Sequence, residues 1–406
     1  MSTVRSAPAS QLRRSARWWV MGVFMLSSVL NYLDRQILAA VAPLLGREFS
    51  LSHRHYGWVL SAFSFSYAAS APLAGLWIDR VGLNRGISAA VALWSLAGAA
   101  AAWTRGLAEL LLCRIVLGIA QAGGVPATGK AIALYLRPQE RALGNALSQI
   151  GLSAGAMLAP PLAVWLAVQH SWRAPFLVAG AAGFLWIPLW LAVVRRVPVQ
   201  QPPSPKQASP ARLLAERRLW AIVAANLLSM TVYTLWSNWT TLYLVEAHGL
   251  RFEQTAWLAA LPPVAANLGG VSGGFLSLVW MNRGATAVQA RMRACLVSAL
   301  ALLGTALIPL APNGVAATAG ICLSFFFSAA WGVNLYSLPL DLYGSTHAAF
   351  ATSLLTGAYG AMQAAVSPLY GTLADRYGFA PLCALVSFCP LIAWGLLRLA
   401  RLEKAP

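Results

Sequence analysis

The sequence predicts an all-α membrane protein with twelve transmembrane helices in two bundles of six. Three observations predict this fold. Of the 406 residues, 59% are hydrophobic and only 10% are charged; apolar runs of bilayer length recur along the chain; and a polar stretch divides those runs six and six. A bilayer core of roughly 30 Å takes about 20 helical residues to cross. Within lipid a helix satisfies its own backbone groups, so the runs are expected to be helices rather than strands.

The apolar runs place the twelve spans in order along the chain. They are expected at 18–43, 56–77, 86–104, 107–136, 143–168, 174–194, 219–246, 255–281, 291–311, 315–340, 349–373 and 379–399. The first run lacks a small-residue cleavage site and continues as a full span, so no cleavable signal peptide is expected.

A polar linker separates the sixth span from the seventh. Residues 195–218 read RRVPVQQPPSPKQASPARLLAERR, which is rich in proline and charge and has no apolar period. The expected organisation is an N-terminal tail at 1–17, a bundle at 18–194, the linker at 195–218, a bundle at 219–399 and a tail at 400–406.

The two bundles are expected to be repeats related by pseudo-two-fold symmetry. Pro161-Leu162 followed by Leu166-Ala167 recurs as Pro368-Leu369 followed by Leu373-Ala374, at a constant offset of 207 residues. These stretches lie in spans five and eleven, which are equivalent in a duplicated bundle. Transporters of this build bind substrate near the membrane midplane, between the repeats.

The net charge is +18, and the cationic residues are divided unequally between the two sides of the membrane. Twenty Lys and Arg residues flank the spans on the side of the two termini, and six lie on the opposite side. The positive-inside rule then places both termini in the cytoplasm. The basic charge therefore indicates topology, and no nucleic-acid partner is expected.

The five cysteines fall within predicted spans and form neither a CxxC pair nor a metal-ligand spacing. They are interpreted as small core residues. The spans also contain no nucleophile–base pair. Neither an enzyme nor a bound metal or cofactor is therefore expected.

A loop motif follows the second span. Residues 75–86 read GLWIDRVGLNRG, and the pattern rests on Gly75, Asp79, Arg80, Gly82 and Arg85. Gly75 would let another helix approach closely, and Gly82 would permit a tight turn. Asp79, at a helix end, could pair with a cation or a helix N-terminus of the other half. The motif predicts a conformational latch on the cytoplasmic side, although a plain topology anchor is the alternative.

Two related patterns occur in the second half. GTLADRYG at 371–378 is similar, but the predicted topology places it outside. The expected counterpart after span eight, GGFLSLVWMNRG, has Leu278 where an acid would fit. The predicted latch is therefore one-sided.

Asp34 and Arg35 lie within the first span, in NYLDRQIL. Trp18 to Leu33 is only 16 residues, about 24 Å of helix, so the helix must continue past the pair to cross the bilayer. An ionisable residue inside the membrane is costly and indicates a functional site. The alternative is that both side chains reach the outer surface or form a structural pair.

The fourth span carries a second buried charge. Arg114, Gly118, Gln121 and Val125 fall on one helical face. Arg114 could neutralise Asp34 or help to bind an anion, and the small residues nearby leave room for a ligand or a neighbouring helix. Helix packing explains the glycines of this span but not the arginine.

Other polar and aromatic residues occur at helical spacing within the spans. Each is a candidate ligand contact or a packing residue, and together they suit a ligand with a carboxylate at one end and hydroxyls at the other. The candidates are Tyr67, Gln149, Tyr233, Trp236, Asn238, Trp331, Asn334, Tyr359 and Gln363.

These motifs resemble the anion:cation symporters of the major facilitator superfamily, and within them the bacterial hexuronate and galactonate transporters. The resemblance covers nearly the whole chain and is best in the first half. It rests on NYLDRQIL, GLWIDRVGLNRG, residues 114–151 and SWRAPF at 171–176, with LPLDLYG at 338–344 in the second half.

The resemblance implies a proton-driven importer of a sugar acid in the bacterial inner membrane, acting as a monomer. Asp34 resembles the proton-binding acid of that family, Arg35 its substrate-carboxylate arginine, and Arg114 the arginine that couples to the acid. The residues matching positions that line the family's sugar-acid site are Tyr32, Tyr67 and Gln149.

Gln121 departs from the family pattern, in which a glutamate at this position also takes up a proton. Glutamine keeps the shape and the hydrogen bonding but cannot titrate. Either one proton on Asp34 suffices, or the protein is more weakly coupled.

Three other functions are alternatives to a proton-driven importer of a sugar acid. An uncoupled facilitator follows if Gln121 abolishes coupling. A multidrug exporter of the same fold would carry a proline at Ala156 and would have little use for two buried arginines. A transporter-like sensor would need a cytoplasmic effector surface, for which the linker is too short.

Overall fold

The computed structural model describes residues 14–137, 140–197 and 211–402, which are almost entirely helical and contain no strand. The helices are α1 (Arg14–Glu48), α2 (His53–Val81), α3 (Leu83–Ala100), α4 (Leu107–Gln121), α5 (Gly124–Tyr135), α6 (Arg141–Gln169), α7 (Ala174–Arg196), α8 (Ala211–Leu214), α9 (Arg217–His248), α10 (Thr255–Leu258), α11 (Leu261–Asn282), α12 (Ala287–Leu302), α13 (Gly314–Tyr377) and α14 (Phe379–Leu399). Short 3-10 segments lie at Ala101–Trp103, Phe252–Gln254 and Leu303–Leu310. The predicted all-α class is confirmed.

Nine segments of the described chain are long and apolar enough to cross a bilayer, and a bent pair, His53–Ala71 with Leu73–Val81, makes ten. The expected number of twelve is therefore not confirmed. Asp34 and Arg35 lie inside α1 and lower its apolar character. The predicted spans ten and eleven are joined in the single helix α13, of which Gly314–Tyr343 qualifies.

Local sequence explains where several helices begin and end. The predicted fourth span is divided into α4 and α5 at Ala122 and Gly123. Pro126 lies in the first turn of α5, where its missing N–H costs nothing. Gly82 has a φ of 89°, in the region that glycine adopts without strain, and it separates α2 from α3. The turn predicted at Gly82 is present.

The chain divides into two compact units. The first comprises the described residues within Met1–Val41 and Ala62–Pro205, and the second those within Ala42–Ser61 and Lys206–Pro406. The predicted first bundle, 18–194, differs from the first unit because the segment Ala42–Ser61 packs with the second. Part of the predicted linker, 195–218, lies outside the described residues, and its ends are helical in α7, α8 and α9.

The core of the first unit is built around large aromatic side chains. Trp186 and Trp190 stack with ring centroids 5.5 Å apart, and Phe24 contacts Trp190 edge to face. The indole Nε1 of Trp186 donates a hydrogen bond to the carbonyl of Val23 at 2.7 Å, which fixes α7 against α1. Buried Arg17 forms an ion pair with Glu140 at 2.8 Å, which ties the start of α1 to the segment before α6.

The core of the second unit is formed mainly by α9, α12, α13 and α14. Its fully buried members include Cys295, Trp331, Leu355 and Leu397. Among the cysteines, Cys295 and Cys383 are buried and the other three are partly buried, and all five are free thiols. The N-terminus of α12 is capped by Thr286, which accepts a hydrogen bond from the backbone of Gln289.

Candidate functional site

Asp34 and Arg35 leave α1 in different directions. Successive residues of a helix point about 100° apart. The Asp34 side chain faces α3, because a Cβ built on Gly98 would lie 3.7 Å from its Oδ1 oxygen. Asp34 is 4% exposed, whereas Arg35 is partly buried and turns toward α2 and α4. The two charges are adjacent in the chain but belong to two different surroundings.

The charge that acts on Asp34 is that of Arg114, which is also buried and lies in α4. The Oδ2 oxygen of Asp34 accepts no hydrogen bond within the described part of the chain. A buried carboxylate is costly unless a nearby cation compensates its charge. Asp34 therefore has one compensating arginine and one oxygen at which a proton can be held.

Arg35 lies among three aromatic rings. Its guanidinium carbon is 5.2 Å from the ring centroid of Tyr32, 4.7 Å from that of Phe63 and 5.1 Å from that of Tyr67. Such contacts favour the cation without using its N–H donors. The Nε atom of Arg35 makes no hydrogen bond to a described residue. The guanidinium therefore retains donors for a carboxylate, which arginine can bind through two parallel hydrogen bonds.

Gln121 joins the end of α4 to two residues of α1. Its Oε1 accepts a hydrogen bond from Nη2 of Arg35 at 3.3 Å, and its Nε2 donates one to the carbonyl of Asn31 at 3.1 Å. Gln121 is 1% exposed, so both contacts are shielded from water. A glutamine amide can donate and accept at once, which an ionised glutamate cannot do.

A cavity of about 370 Å³, with a mostly apolar surface and several polar side chains in its lining, lies in the first unit. It is lined by Ser27, Ser28, Asn31, Tyr67, Trp94, Gly124, Val125, Thr128, Gly129, Asn145, Ser148, Gln149 and Leu152. Tyr67 also contacts Arg35, and Asn31 also accepts from Gln121, so the cavity adjoins the surroundings of the arginine. This volume is within the range of small-molecule sites.

Two residues predicted for the site, Tyr67 and Gln149, line this cavity, while Tyr32, Arg35 and Gln121 lie in the adjoining cluster. Sequence reasoning missed Asn31, Thr128, Asn145 and Ser148. A signal existed for two of them: Asn31 precedes Arg35 by four residues and Asn145 precedes Gln149 by four, which is the spacing of one helical face. The amide nitrogen of Asn31 is buried and has no described hydrogen-bond partner.

The candidates of the second unit differ from one another in burial. Trp236, Asn238, Trp331 and Asn334 are buried. The amide of Asn238 donates to the carbonyl of Thr234 at 2.9 Å, and that of Asn334 donates to the carbonyls of Gly273 and Ala330 at 3.0 and 2.9 Å. These contacts are those of packing residues.

The three remaining candidates of the second unit are partly buried, and they are Tyr233, Tyr359 and Gln363. The ring of Tyr233 contacts that of Phe325 edge to face at 5.0 Å.

The predicted latch residues occupy the junction of α2 and α3. Asp79 forms an ion pair at 2.9 Å with Lys130 of α5, which belongs to the same unit and not to the other half as expected. Gly75 shows no close approach, since a Cβ there would lie 3.8 Å from Pro126, an ordinary contact distance. Arg80 and Arg85 are exposed. In the second unit, where Leu278 replaces the acid, an ion pair joins Arg291 of α12 to Asp341 of α13.

Comparison with known proteins identifies the class to which this arrangement belongs. Residues 24–356 match the model of the Major Facilitator Superfamily. The hexuronate transporter of Escherichia coli K12 is 28% identical, over 93% of this chain and 92% of that protein. The galacturonate transporter of Dickeya chrysanthemi is 28% identical, over 66% of this chain and 84% of that protein.

A solved structure shows the same fold. It is the crystal structure of a bacterial homologue of the human lysosomal transporter Spinster, in an inward-facing and occupied conformation. It matches with a TM-score of 0.80 at 19% identity, over 96% of this chain and 98% of that chain.

The chain belongs to the Major Facilitator Superfamily. It is a membrane-spanning transporter and not an enzyme, and its predicted resemblance to bacterial hexuronate transporters is confirmed.

Proposed function

We propose that this protein is a secondary active transporter that imports a sugar acid, a hexuronate-like organic monoanion, together with a proton. It does so by alternating access between two six-helix bundles with twelve spans in all. It resides as a monomer in a bacterial inner membrane with both termini in the cytoplasm. The relatives named as hexuronate and galacturonate transporters support this substrate class.

The observation that carries the proposal is the setting of Arg35. A guanidinium that is held by three aromatic rings and one glutamine, and that adjoins a cavity, is suited to a carboxylate. The cavity offers hydroxyl and amide groups from Thr128, Asn145, Ser148 and Gln149. These groups match the hydroxyls of a sugar acid, whereas a cationic drug would face the positive charges of partly buried Arg35 and buried Arg114.

Proton coupling is assigned to Asp34. When Asp34 is ionised, it competes with the substrate anion for the positive charge of Arg114. When it is protonated, that charge is available to the substrate, so proton and anion bind cooperatively. The cluster of Asp34, Arg35 and Arg114 has a net charge of +1 when Asp34 is ionised, which favours a monoanion.

The test is uptake of labelled glucuronate and galacturonate into proteoliposomes, with and without an inward proton gradient. We expect accumulation above equilibrium only when the gradient is present. Arg35→Lys keeps the charge but loses the paired donors, and we expect it to lower the apparent affinity at least tenfold. Arg105→Gln, a change at an exposed arginine, is the matched control and should leave uptake unchanged. Absence of uptake in all conditions would rule out the hexuronate assignment.

An uncoupled facilitator is the second candidate. The observation that favours it is Gln121, which keeps its hydrogen bonds to Arg35 and Asn31 but cannot titrate. Equilibration without accumulation in the same assay would support it. Resistance to cationic dyes upon expression would support a multidrug exporter instead.

A further inference from the structure

The motif GTLADRYG at 371–378 takes no part in the proposed substrate site. Its acid, Asp375, lies near the C-terminal end of α13. The distribution of Lys and Arg predicts that this end of the helix faces the outer side of the membrane. It contacts the start of α2 within the second unit. We use the name outer hairpin for the segment Ala42–Ser61, which contains the end of α1 and the start of α2.

Asp375 binds the N-terminus of α2 with both oxygens. Its Oδ1 accepts a hydrogen bond from the backbone N–H of His53 at 2.9 Å, and its Oδ2 accepts one from that of Arg54 at 2.9 Å. The first N–H groups of a helix have no partner within the helix, and a carboxylate there also interacts favourably with the helix dipole. The contact therefore fastens the start of α2 to the end of α13.

The imidazole of His53 lies between two carboxylates. Its Nδ1 is 2.7 Å from Oδ1 of Asp375, and its Nε2 is 2.6 Å from Oε2 of Glu246 in α9. A neutral imidazole has only one N–H, so it would turn a lone pair toward one of the two acids. Only the imidazolium can donate to both. This geometry is that of a protonated histidine shared by two acids.

The rest of the outer hairpin is packed closely onto the second unit. A Cβ on Gly371 would overlap the carbonyl oxygen of His53, so α13 touches the backbone of the hairpin. The hydroxyl of Tyr56 donates to the carbonyl of Asn238 at 2.8 Å, and that of Ser61 donates to the carbonyl of Ala364 at 2.6 Å. These two hydrogen bonds join neutral groups, so the ionisable part of the contact is the cluster of His53, Asp375 and Glu246.

Within the described residues, three further arginines and one further histidine lie near His53 in the structure or in sequence. Arg47 of α1 lines the same small cavity as His53 and Glu246. Arg54 follows His53 in sequence and Arg376 follows Asp375, and both side chains are exposed. The side chain of His55 contacts Ser52 and not the cluster. The groups contributed by Trp239 and Phe379 are uncharged rings, with centroids 6.0 and 5.8 Å from the imidazole.

We propose that His53, Glu246 and Asp375 form a proton-sensitive latch that holds the outer hairpin on the second unit and closes the outer side of the transporter. The proposal rests on the proposed alternating-access function, in which the outer side must open to admit substrate. Loss of the proton from His53 removes one charge-assisted hydrogen bond and leaves two neighbouring acids without the cation between them. The latch then releases the hairpin.

The sign of the pH effect follows from this geometry. The closed form binds the proton on His53, so mild acid favours the closed form and rising pH favours the open one. The pKa of Asp375 lies below its ordinary value, because hydrogen bonds from Arg54 and His53 outweigh the effect of burial, which raises it. Asp375 thus stays ionised in mild acid, where the latch needs its charge.

The test measures the position of the hairpin without any transport assay. Spin labels are attached at Ser50→Cys and Ala380→Cys, both exposed positions, in the full chain with the five native cysteines replaced by alanine. Distances between the labels are measured by double electron–electron resonance in nanodiscs from pH 5.5 to 8.5. We expect a short distance in acid and a longer one that grows with pH, with a population ratio that changes about tenfold, the value of one charge-assisted hydrogen bond.

His53→Gln is the decisive variant, because glutamine can donate and accept but cannot titrate. We expect its distance distribution to be independent of pH. His55→Gln is the matched control, two residues away and outside the cluster, and should keep the pH dependence of the parent chain. A parent chain with one pH-independent distance, or His53→Gln with the parent's pH response, would overturn the latch. Neither result depends on whether the protein carries hexuronates, which the uptake assay decides separately.

Discussion

At the scale of single residues, the separation of Asp34 from Arg35 assigns them different roles. Asp34 faces α3 and is compensated by Arg114, whereas Arg35 contacts Gln121 and three aromatic rings. In the proposed mechanism, Asp34 therefore holds the proton and Arg35 binds the substrate carboxylate. We propose that the two roles are coupled through the positive charge of Arg114, because charges interact strongly in surroundings of low dielectric constant.

Asp34→Asn tests this division. Asparagine keeps the size of the side chain but cannot exchange a proton, and it leaves the positive charge of Arg114 available to the substrate at every pH. We expect substrate affinity, measured by isothermal titration calorimetry, to become independent of pH between 5.5 and 8.5. Accumulation driven by a proton gradient should disappear while exchange of substrate across the membrane persists. Unchanged accumulation with the parent's pH dependence would contradict the assignment of the proton to Asp34.

Gln121→Glu tests what the absence of a titratable group at position 121 does to transport. An ionised glutamate would attract Arg35 more strongly than the glutamine does, and it could not donate to the carbonyl of Asn31. We therefore expect substrate affinity to fall by about tenfold at pH 8 and to recover in acid, giving a steeper pH dependence of uptake. Gln121→Met, which fills similar space without hydrogen bonds, is the control and should weaken uptake equally at all pH values. If Gln121→Glu matches Gln121→Met at every pH, the added acid has no role.

At the scale of helices, the contact between α4 and α2 positions the residues around Arg35. A Cβ on Gly118 would overlap the hydroxyl of Ser66 and the carbonyl oxygen of Phe63. Phe63 is also one of the three rings around the guanidinium. Close packing at Gly118 therefore sets the distance between the aromatic residues of α2 and Gln121 of α4.

Gly118→Ala should separate these two helices. Inserting a methyl group into a tight contact costs about 1–3 kcal/mol, so we expect a lower melting temperature in detergent and weaker substrate binding together. Gly22→Ala is the matched control, because nothing lies within 4 Å of a Cβ at that helical position. The control should be neutral or slightly stabilising, since alanine favours helix over glycine. Equal melting temperatures for Gly118→Ala and the parent would show that the helices have room to adjust.

At the scale of the whole molecule, some features were predictable because they follow from local chemistry. Bilayer-length apolar runs predict the helices, and the buried charges of Asp34, Arg35 and Arg114 indicate a site because such charges are rare in lipid. The cavity residues Thr128 and Ser148 were not predictable, because only the helices packed around a polar residue decide whether it lines a cavity.

Other features depended on partners that a linear sequence does not specify. The acid of GLWIDRVGLNRG pairs with Lys130 of its own unit, although its motif fits a partner in the other half equally well. The packing of Ala42–Ser61 with the second unit could not be anticipated either, since these residues continue the first two predicted spans. Both features depend on tertiary contacts between segments that are remote in sequence.

The proposed count of twelve spans depends chiefly on α13. This helix has 64 residues, and if straight it would be about 96 Å long, some three times the roughly 30 Å of a bilayer core. We therefore expect it to cross the membrane twice, with a cytoplasmic turn after Leu342. The arginine-rich ends of the chain then lie on the same side as this turn.

Topology reporters can decide the count. Alkaline phosphatase is active only outside the cytoplasm and green fluorescent protein only inside, so each fusion site gives a complementary pair of readings. We expect fluorescence for fusions after Leu342 and after Pro406, and phosphatase activity for fusions after Ser50 and after Gly378. Fusions after Arg105 and Arg196 serve as controls, because the bounding helices α3, α4 and α7 all qualify as spans. Equal readings after Leu342 and Gly378 would mean that the second part of α13 does not cross, and the chain would then have fewer than twelve spans.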